Sequence, residues 1–442
     1  MTRFLLLSFA TLAIAQEVRY SLHASGSTVR VTIETADQAP RVFVMPRAIP
    51  MGYGEQRYER YVAGIGGVRQ DGPRWRFDKP VRRVEYTVDI AGMERDILSA
   101  ADTSKSRDRY LGLLGYSVFG FFEGQEDRPV RLRVEGPSDW PVFSTLAPRS
   151  PPAHGSMETA ADNYYALADS QIAMGPALQV FVADSKPPLY VASYNEGSRD
   201  PRVILRLARE SLDALTGYFG STPFPHFSVH LELLKPMSPQ HEYGFAMEHM
   251  TSATIFLGHE TDLDRQRFHV AHHIAHAWIP KRCAGPGYFP FQWELAPVLD
   301  TIWFSEGFGQ YAAMAAIRDT LPEAGRAAYM ERMLERFRSA LREAPAFIRR
   351  LTAVELSRAA STRYSEDFRT GRNVFSRCGM MAYEMDQRIS EATGRRRDLR
   401  HVLRELMTRR AFRPEEFGAL VRTTTGVDIR DIMDRWLGPM PQ

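Results

Sequence analysis

Cysteine is nearly absent. The 442-residue chain has two, Cys283 and Cys378. That excludes a disulfide-framed fold and leaves at most one bridge, which an oxidising compartment would permit. Spacing alone does not show whether the two sulfurs meet. An excess of charge is also missing: Lys+Arg is 56 against Asp+Glu 53, a net charge of +3. Nearly all the bases are arginine, no basic cluster stands out, and no nucleic-acid partner is expected. Beyond the N-terminus no apolar run is long enough to cross a bilayer, so no stable membrane insertion is expected. No internal repeat is evident.

What is present is an ordinary globular composition, 44% hydrophobic and 25% charged, with length for two or three domains. At the start, Arg3 precedes the apolar run "FLLLSFATLAIA", and Ala13-Ile14-Ala15 forms a small-x-small cleavage signal. Residues 1–15 are therefore expected to be a signal peptide, and the mature protein periplasmic or secreted. An uncleaved N-terminal anchor is the other reading.

Residues 16–147 alternate with period two. "STVRVTIET", "RVEYTVDI" and "RPVRLRVEG" predict half-buried strands between Gly, Pro and Asp turns, hence an N-terminal all-β domain. "APRSPPAHGSMET" (147–159) is Pro- and Ser-rich and reads as a linker or long surface loop. Residues 160–442 begin with strand patterns ("ALQVFVA", "PLYVASY", "FSVHLELL" and "MEHMTSATIFL"). Between them "DPRVILRLARESLDALTGYFG" predicts an amphipathic helix with Pro201 near its start and a Gly at its end. From Asp264 the 3.6-residue period dominates, with helices expected over 264–279, 301–318, 322–342, 371–393, 398–409, 414–422 and 430–437. A small sheet followed by a helical half predicts an α+β catalytic-type domain.

The chemistry concentrates in "HVAHHIAHAW". On a helix His269, His272, His273 and His276 share one face, and His272 and His276 stand one turn apart, the spacing that lets two imidazoles reach one metal. His269 and His273 form a second i, i+4 pair. A third ligand is expected downstream. Glu306 sits on the apolar helix "TIWFSEGFGQYAAMAA", where a lone acid needs a reason; Glu294 is closer but lies in irregular sequence.

The run "HHIAHAWIPKRCAGPGYFPFQWELAPVLDTIWFSEGFGQYAA" resembles the glycyl aminopeptidase family of zinc metallopeptidases, whose catalytic domain is thermolysin-like. The matching letters are His272/His276, Trp278, Lys281-Arg282, Pro290-Phe291 and Trp303 to Phe308. "MPRAIPMGYGEQRYERYVAGIGGV" is similar to that family's Pro-rich, Tyr-containing N-terminal signature, and "YGFAMEHMTSATI" to its Gly-Gly-Leu-Glu-His stretch on an edge strand. The resemblance implies one zinc ion on His272, His276 and Glu306, and decides for Glu306 over Glu294. It implies that Glu248 receives the free amino terminus of a peptide or protein partner. The family often continues into a PDZ domain, and none is expected here.

Two positions depart from the pattern, both at the chemistry. The family's general-base Glu is His273. Its oxyanion-donating Tyr, aligned through Asp386, is Phe375, and Tyr364 is the nearest upstream replacement. The expectation is a zinc site with peptidase activity lost or strongly reduced; the alternative is an active aminopeptidase with a non-standard base.

Overall fold

The computed structural model describes residues 17–36, 40–50, 53–241, 243–364 and 367–440. The expected signal peptide, 1–15, lies outside them. Among the described residues, four sheets carry the first half and the entry to the second. The largest has six strands, with Val18–Ser25 and Thr28–Thr35 at its centre. Val18–Ser25 buries every second residue, as its alternation dictates. The Pro/Ser-rich stretch is not an open linker. Ala153–His154 pairs with Pro141–Ser144, and Ser156–Ala161 closes the edge of the six-stranded sheet against Val130–Glu135. Met157 and Ala161 are buried there, an apolar pattern too sparse for periodicity to register.

The fourth sheet is mixed and frames the site. Its order is Gln179–Ala183, Leu189–Asn195, Phe227–Leu234, Ser252–Gly258, Gly244–Glu248. The single strand expected from "MEHMTSATIFL" is two: Gly244–Glu248 ends at Glu248 and returns antiparallel as Ser252–Gly258. Glu248 thus closes the edge strand. The helix Arg202–Phe219 ends at Gly220, whose φ of 80° makes it a left-handed C-cap.

The remaining chain is helical, as expected of an α+β fold. The histidine helix is shorter than its period suggested, Arg267–Ala275 with His276 as C-cap. Turns follow to Pro280, which cannot continue a helix. Several helices went unexpected: Ala353–Arg363, started by a Thr352/Glu355 capping box in a polar, Ser- and Arg-rich run, the single turn Ala346–Arg349 before it, Tyr164–Ala168, and Ile90–Asp96 and Gly115–Val118, which interrupt the half expected to be all β. Among the described residues no helix is long and apolar enough to cross a membrane. Cys283 and Cys378 are both buried free thiols.

Two contacts fix how these layers meet. Ile302–Thr320 is buried almost all round, and Gly307 on it abuts Phe368–Ala392: an added Cβ would lie 2.5 Å from the Cys378 Cβ and 2.7 Å from its carbonyl carbon. Backbone cannot swing aside, so Gly307→Ala is expected to destabilise by at least about 1–3 kcal/mol, read as a drop in Tm. The third and fourth sheets are joined by Lys105. Its ammonium is 3.5 Å from Glu232 Oε2, donates to the Thr103 carbonyl at 2.6 Å and lies 3.8 Å from the Phe256 ring centroid. Glu232 also accepts from Tyr110 Oη at 2.8 Å. Removing one partner strands a buried charge, so Lys105→Met is expected to cost about 3–5 kcal/mol in chemical denaturation. Burial opposes ionisation of Glu232, but Lys105 and His230 hold its carboxyl down at about 2 against an ordinary 4.5. A depressed carboxyl stabilises above its unfolded pKa. This contribution is therefore full above pH 4.5 and is lost as pH falls toward 2.

Candidate metal centre

His272 and His276 lie one turn apart at the end of the histidine helix. Ile274 and Ala275 turn into the core, so the imidazoles are pushed toward the facing helix. That helix presents Glu306, 3% exposed. Three atoms converge: His272 Nε2 and His276 Nε2 are 2.8 Å apart, and Glu306 Oε2 lies 3.2 Å from the first and 3.4 Å from the second. Gly309, one turn beyond Glu306, leaves the room. A Cβ there would stand 3.1 Å from His276 Cε1.

Outer contacts orient the donors. His276 Nδ1 lies 2.8 Å from the Ile279 carbonyl, which can only accept. The ring proton therefore sits on Nδ1, and Nε2 offers its lone pair inward. Glu306 Oε1 accepts from the Tyr53 hydroxyl at 2.8 Å, leaving Oε2 for the two imidazoles. With donor–ion bonds of 2.0–2.1 Å, three corners of a tetrahedral zinc lie about 3.3–3.4 Å apart. Two imidazoles and one carboxylate are the donor chemistry such an ion takes; the Glu306 separations of 3.2 and 3.4 Å match it, and the two nitrogens stand closer, at 2.8 Å.

The electrostatics follow from how closely these groups are buried together. Burial opposes ionisation of Glu306, yet His276 and His272 hold it well below the usual carboxylate range. Burial also disfavours an imidazolium at His276, but Glu248 and Glu306 outweigh it and push the group up to about 9. His272 moves down, through burial and its neighbour His276.

His273 points elsewhere. Its Nδ1 is 3.5 Å from Glu248 Oε2, longer than a normal hydrogen bond, and both His273 Nδ1 and Glu248 Oε1 are buried without a hydrogen-bond partner. Glu248, His273 and His276 form a second group with ligand atoms within 4.8 Å of one another. Burial holds His273 down at about 4, against the pull of Glu248, so its imidazole is neutral near pH 7. His269 stands outside both groups, its Nδ1 3.1 Å from Gln266 Oε1. Glu294 is tied to Arg74.

Glu248, His269, His272, His273 and Glu306 line one cleft of about 830 Å³, together with Tyr53, Tyr364, Phe375, Ser376, Gln310 and Arg336. Phe375 offers no hydroxyl. Its ring packs against Tyr364 at 5.3 Å, and Tyr364 meets Tyr53 edge-on at 6.3 Å. Two tyrosines therefore reach the cleft, Tyr364 beside Phe375 and Tyr53 on Glu306. Tyr53 is the residue sequence reasoning gave no role. Its stretch carried a family likeness, but nothing in a loop 253 positions before Glu306 signals contact with it.

Residues 20–176 match the family model described as the Peptidase M61 N-terminal domain. Among solved structures, an aminopeptidase N family protein from Idiomarina loihiensis superposes with a TM-score of 0.79 at 18% identity, covering 96% of this chain and 76% of that one. The fold is that of M1-type zinc aminopeptidases. An M1 zinc metallopeptidase mutant from Deinococcus radiodurans, bound to a Tyr-Ser-Ala substrate, superposes with a TM-score of 0.57 at 16% identity, covering 97% and 95% of the two chains. At such identities the likeness establishes the fold alone. No curated protein matches the chain.

Proposed function

We propose that this is an exported zinc-binding protein on a metallopeptidase scaffold, its peptidase activity lost or strongly reduced. The observation that carries the reading is the split within one helix turn. His272 and His276 converge with Glu306, while His273, at the position of the base, lies against Glu248. His272, His276 and Glu306 would hold one zinc ion. Bound there, zinc would polarise a carbonyl and acidify water. Glu248 would meet the ammonium of a peptide or protein amino terminus. Its unpaired Oε1 leaves an acceptor free for that charge. Hydrolysis further needs a base that carries the proton to the leaving amine and a donor to the oxyanion. His273 is an imidazole held against a carboxylate, and Phe375 has no proton to give. Each loss typically lowers the rate on the order of a hundredfold or more. The leader-like N-terminus supports a periplasmic or secreted location.

One observation favours the second reading, an active aminopeptidase with an unusual base. Tyr364 lines the cleft beside Phe375, and a neutral His273 can accept a proton. The two separate in an assay of zinc-loaded protein on glycyl and alanyl substrates. The proposal expects no turnover above the zinc-only blank. Turnover that disappears in His273→Ala would establish the second reading instead.

A further inference from the structure

We infer that the N-terminal β half completes the metal centre through Tyr53, which positions Glu306 for the ion. This rests on the zinc reading above and goes beyond it, because none of the three donors lies in that half. The direct observation is the hydrogen bond from the Tyr53 hydroxyl to Glu306 Oε1 at 2.8 Å, with both side chains buried. A carboxylate has two equivalent oxygens and can rotate. Holding one of them with a fixed donor leaves the other aimed at His272 and His276, the role that outer-contact partners play for metal ligands.

The surrounding structure is built to deliver that hydroxyl. Ala48 bridges Glu55, and Gln56 N–H donates to the Arg47 carbonyl at 2.9 Å, which pinches the loop at its base. The Trp293 carbonyl accepts from Arg47 N–H at 2.7 Å and from Ala48 N–H at 3.0 Å. Ala296 N–H donates to Glu55 Oε2 at 3.0 Å. The loop is thus fastened to the segment leading into the Glu306 helix. Tyr53 takes a φ of 50°, rare for a bulky residue, and its carbonyl accepts from Tyr364 N–H at 3.2 Å. Backbone held in the left-handed region at a non-glycine residue persists only where its surroundings impose it, and such positions cluster at functional sites. Here the conformation turns the phenol inward onto the carboxylate. The β half is therefore part of the centre rather than one wall of a cleft.

The test compares full-length wild type, Tyr53→Phe and Tyr364→Phe. Zinc affinity is measured by competition with a chromophoric chelator, and the Co2+-loaded forms are compared by visible absorption. Tyr53→Phe keeps the ring and its packing on Tyr364, so the metal-free protein should stay folded, its Tm lowered modestly by the one lost hydrogen bond. Its zinc affinity is expected to fall on the order of 10- to 100-fold, with a changed Co2+ spectrum. Tyr364→Phe removes no bond to Glu306 and should bind zinc like wild type. Equal affinity and an equal Co2+ spectrum in Tyr53→Phe would overturn this inference while leaving the zinc site standing. An equal loss in Tyr364→Phe would also overturn it, by showing a general packing effect. A wild type that takes up no zinc overturns both the inference and the reading beneath it.

Discussion

His272→Ala and Glu306→Gln are each expected to empty the centre, from about one zinc per chain to nearly none, since three protein donors are the minimum such open sites use. The result reads directly on the donor set, because a centre on Glu248, His273 and His276 would keep all its donors in both variants. His276 has a single inward nitrogen, its Nδ1 being committed to the Ile279 carbonyl. His269 lies outside both donor groups. A ligand that binds only the folded state stabilises it by about 4 kcal/mol at a thousandfold excess over its Kd. Zinc should therefore raise the Tm of wild type and leave that of either variant unmoved. His273→Ala separates the donor sets. It should retain zinc if the ion sits on His272, His276 and Glu306, and lose it if the ion sits on Glu248, His273 and His276.

The second large effect is a gain. His273→Glu with Phe375→Tyr should raise turnover of alanyl and glycyl substrates at least about a hundredfold over zinc-loaded wild type, by restoring a carboxylate base and an oxyanion donor together. The single variants should fall well short of the pair, because the two groups act in one step and their contributions do not add. The new carboxylate would face Glu248 across the 3.5 Å now separating Glu248 from His273. Two carboxylates so close raise one another's pKa, which moves the new group toward the range a base needs near neutral pH. A double variant that keeps zinc and still fails to turn over would show that the site is closed for reasons beyond these two positions.

The parts of the site legible in the sequence were those set by local period. His272 and His276 follow from helical spacing, and Glu306 stood out as the lone acid of an apolar run, although the family likeness was needed to decide it over Glu294. Spacing and apolarity are properties of one element at a time. Glu248 needed the family likeness, since "MEHMTSATIFL" reads as one strand until His249 to Thr251 turn the chain. Tyr53 was out of reach. Its contact with Glu306 exists only because the β-half loop is fastened to residues 293–296, and no pattern within either stretch encodes the other. The same limit explains the fold's departures. Ser156–Ala161 is a strand because Val130–Glu135 offers it an edge, and Ala353–Arg363 is a helix because its capping box starts it and Ser357 receives the Trp303 N–H.

The claim that binding and catalysis have parted within one helix turn is tested most directly by anomalous diffraction at the zinc edge on crystals of the zinc-loaded protein. A single peak is expected between His272 Nε2, His276 Nε2 and Glu306 Oε2, with His273 uncoordinated. A peak among Glu248, His273 and His276, or no peak at all, would contradict it.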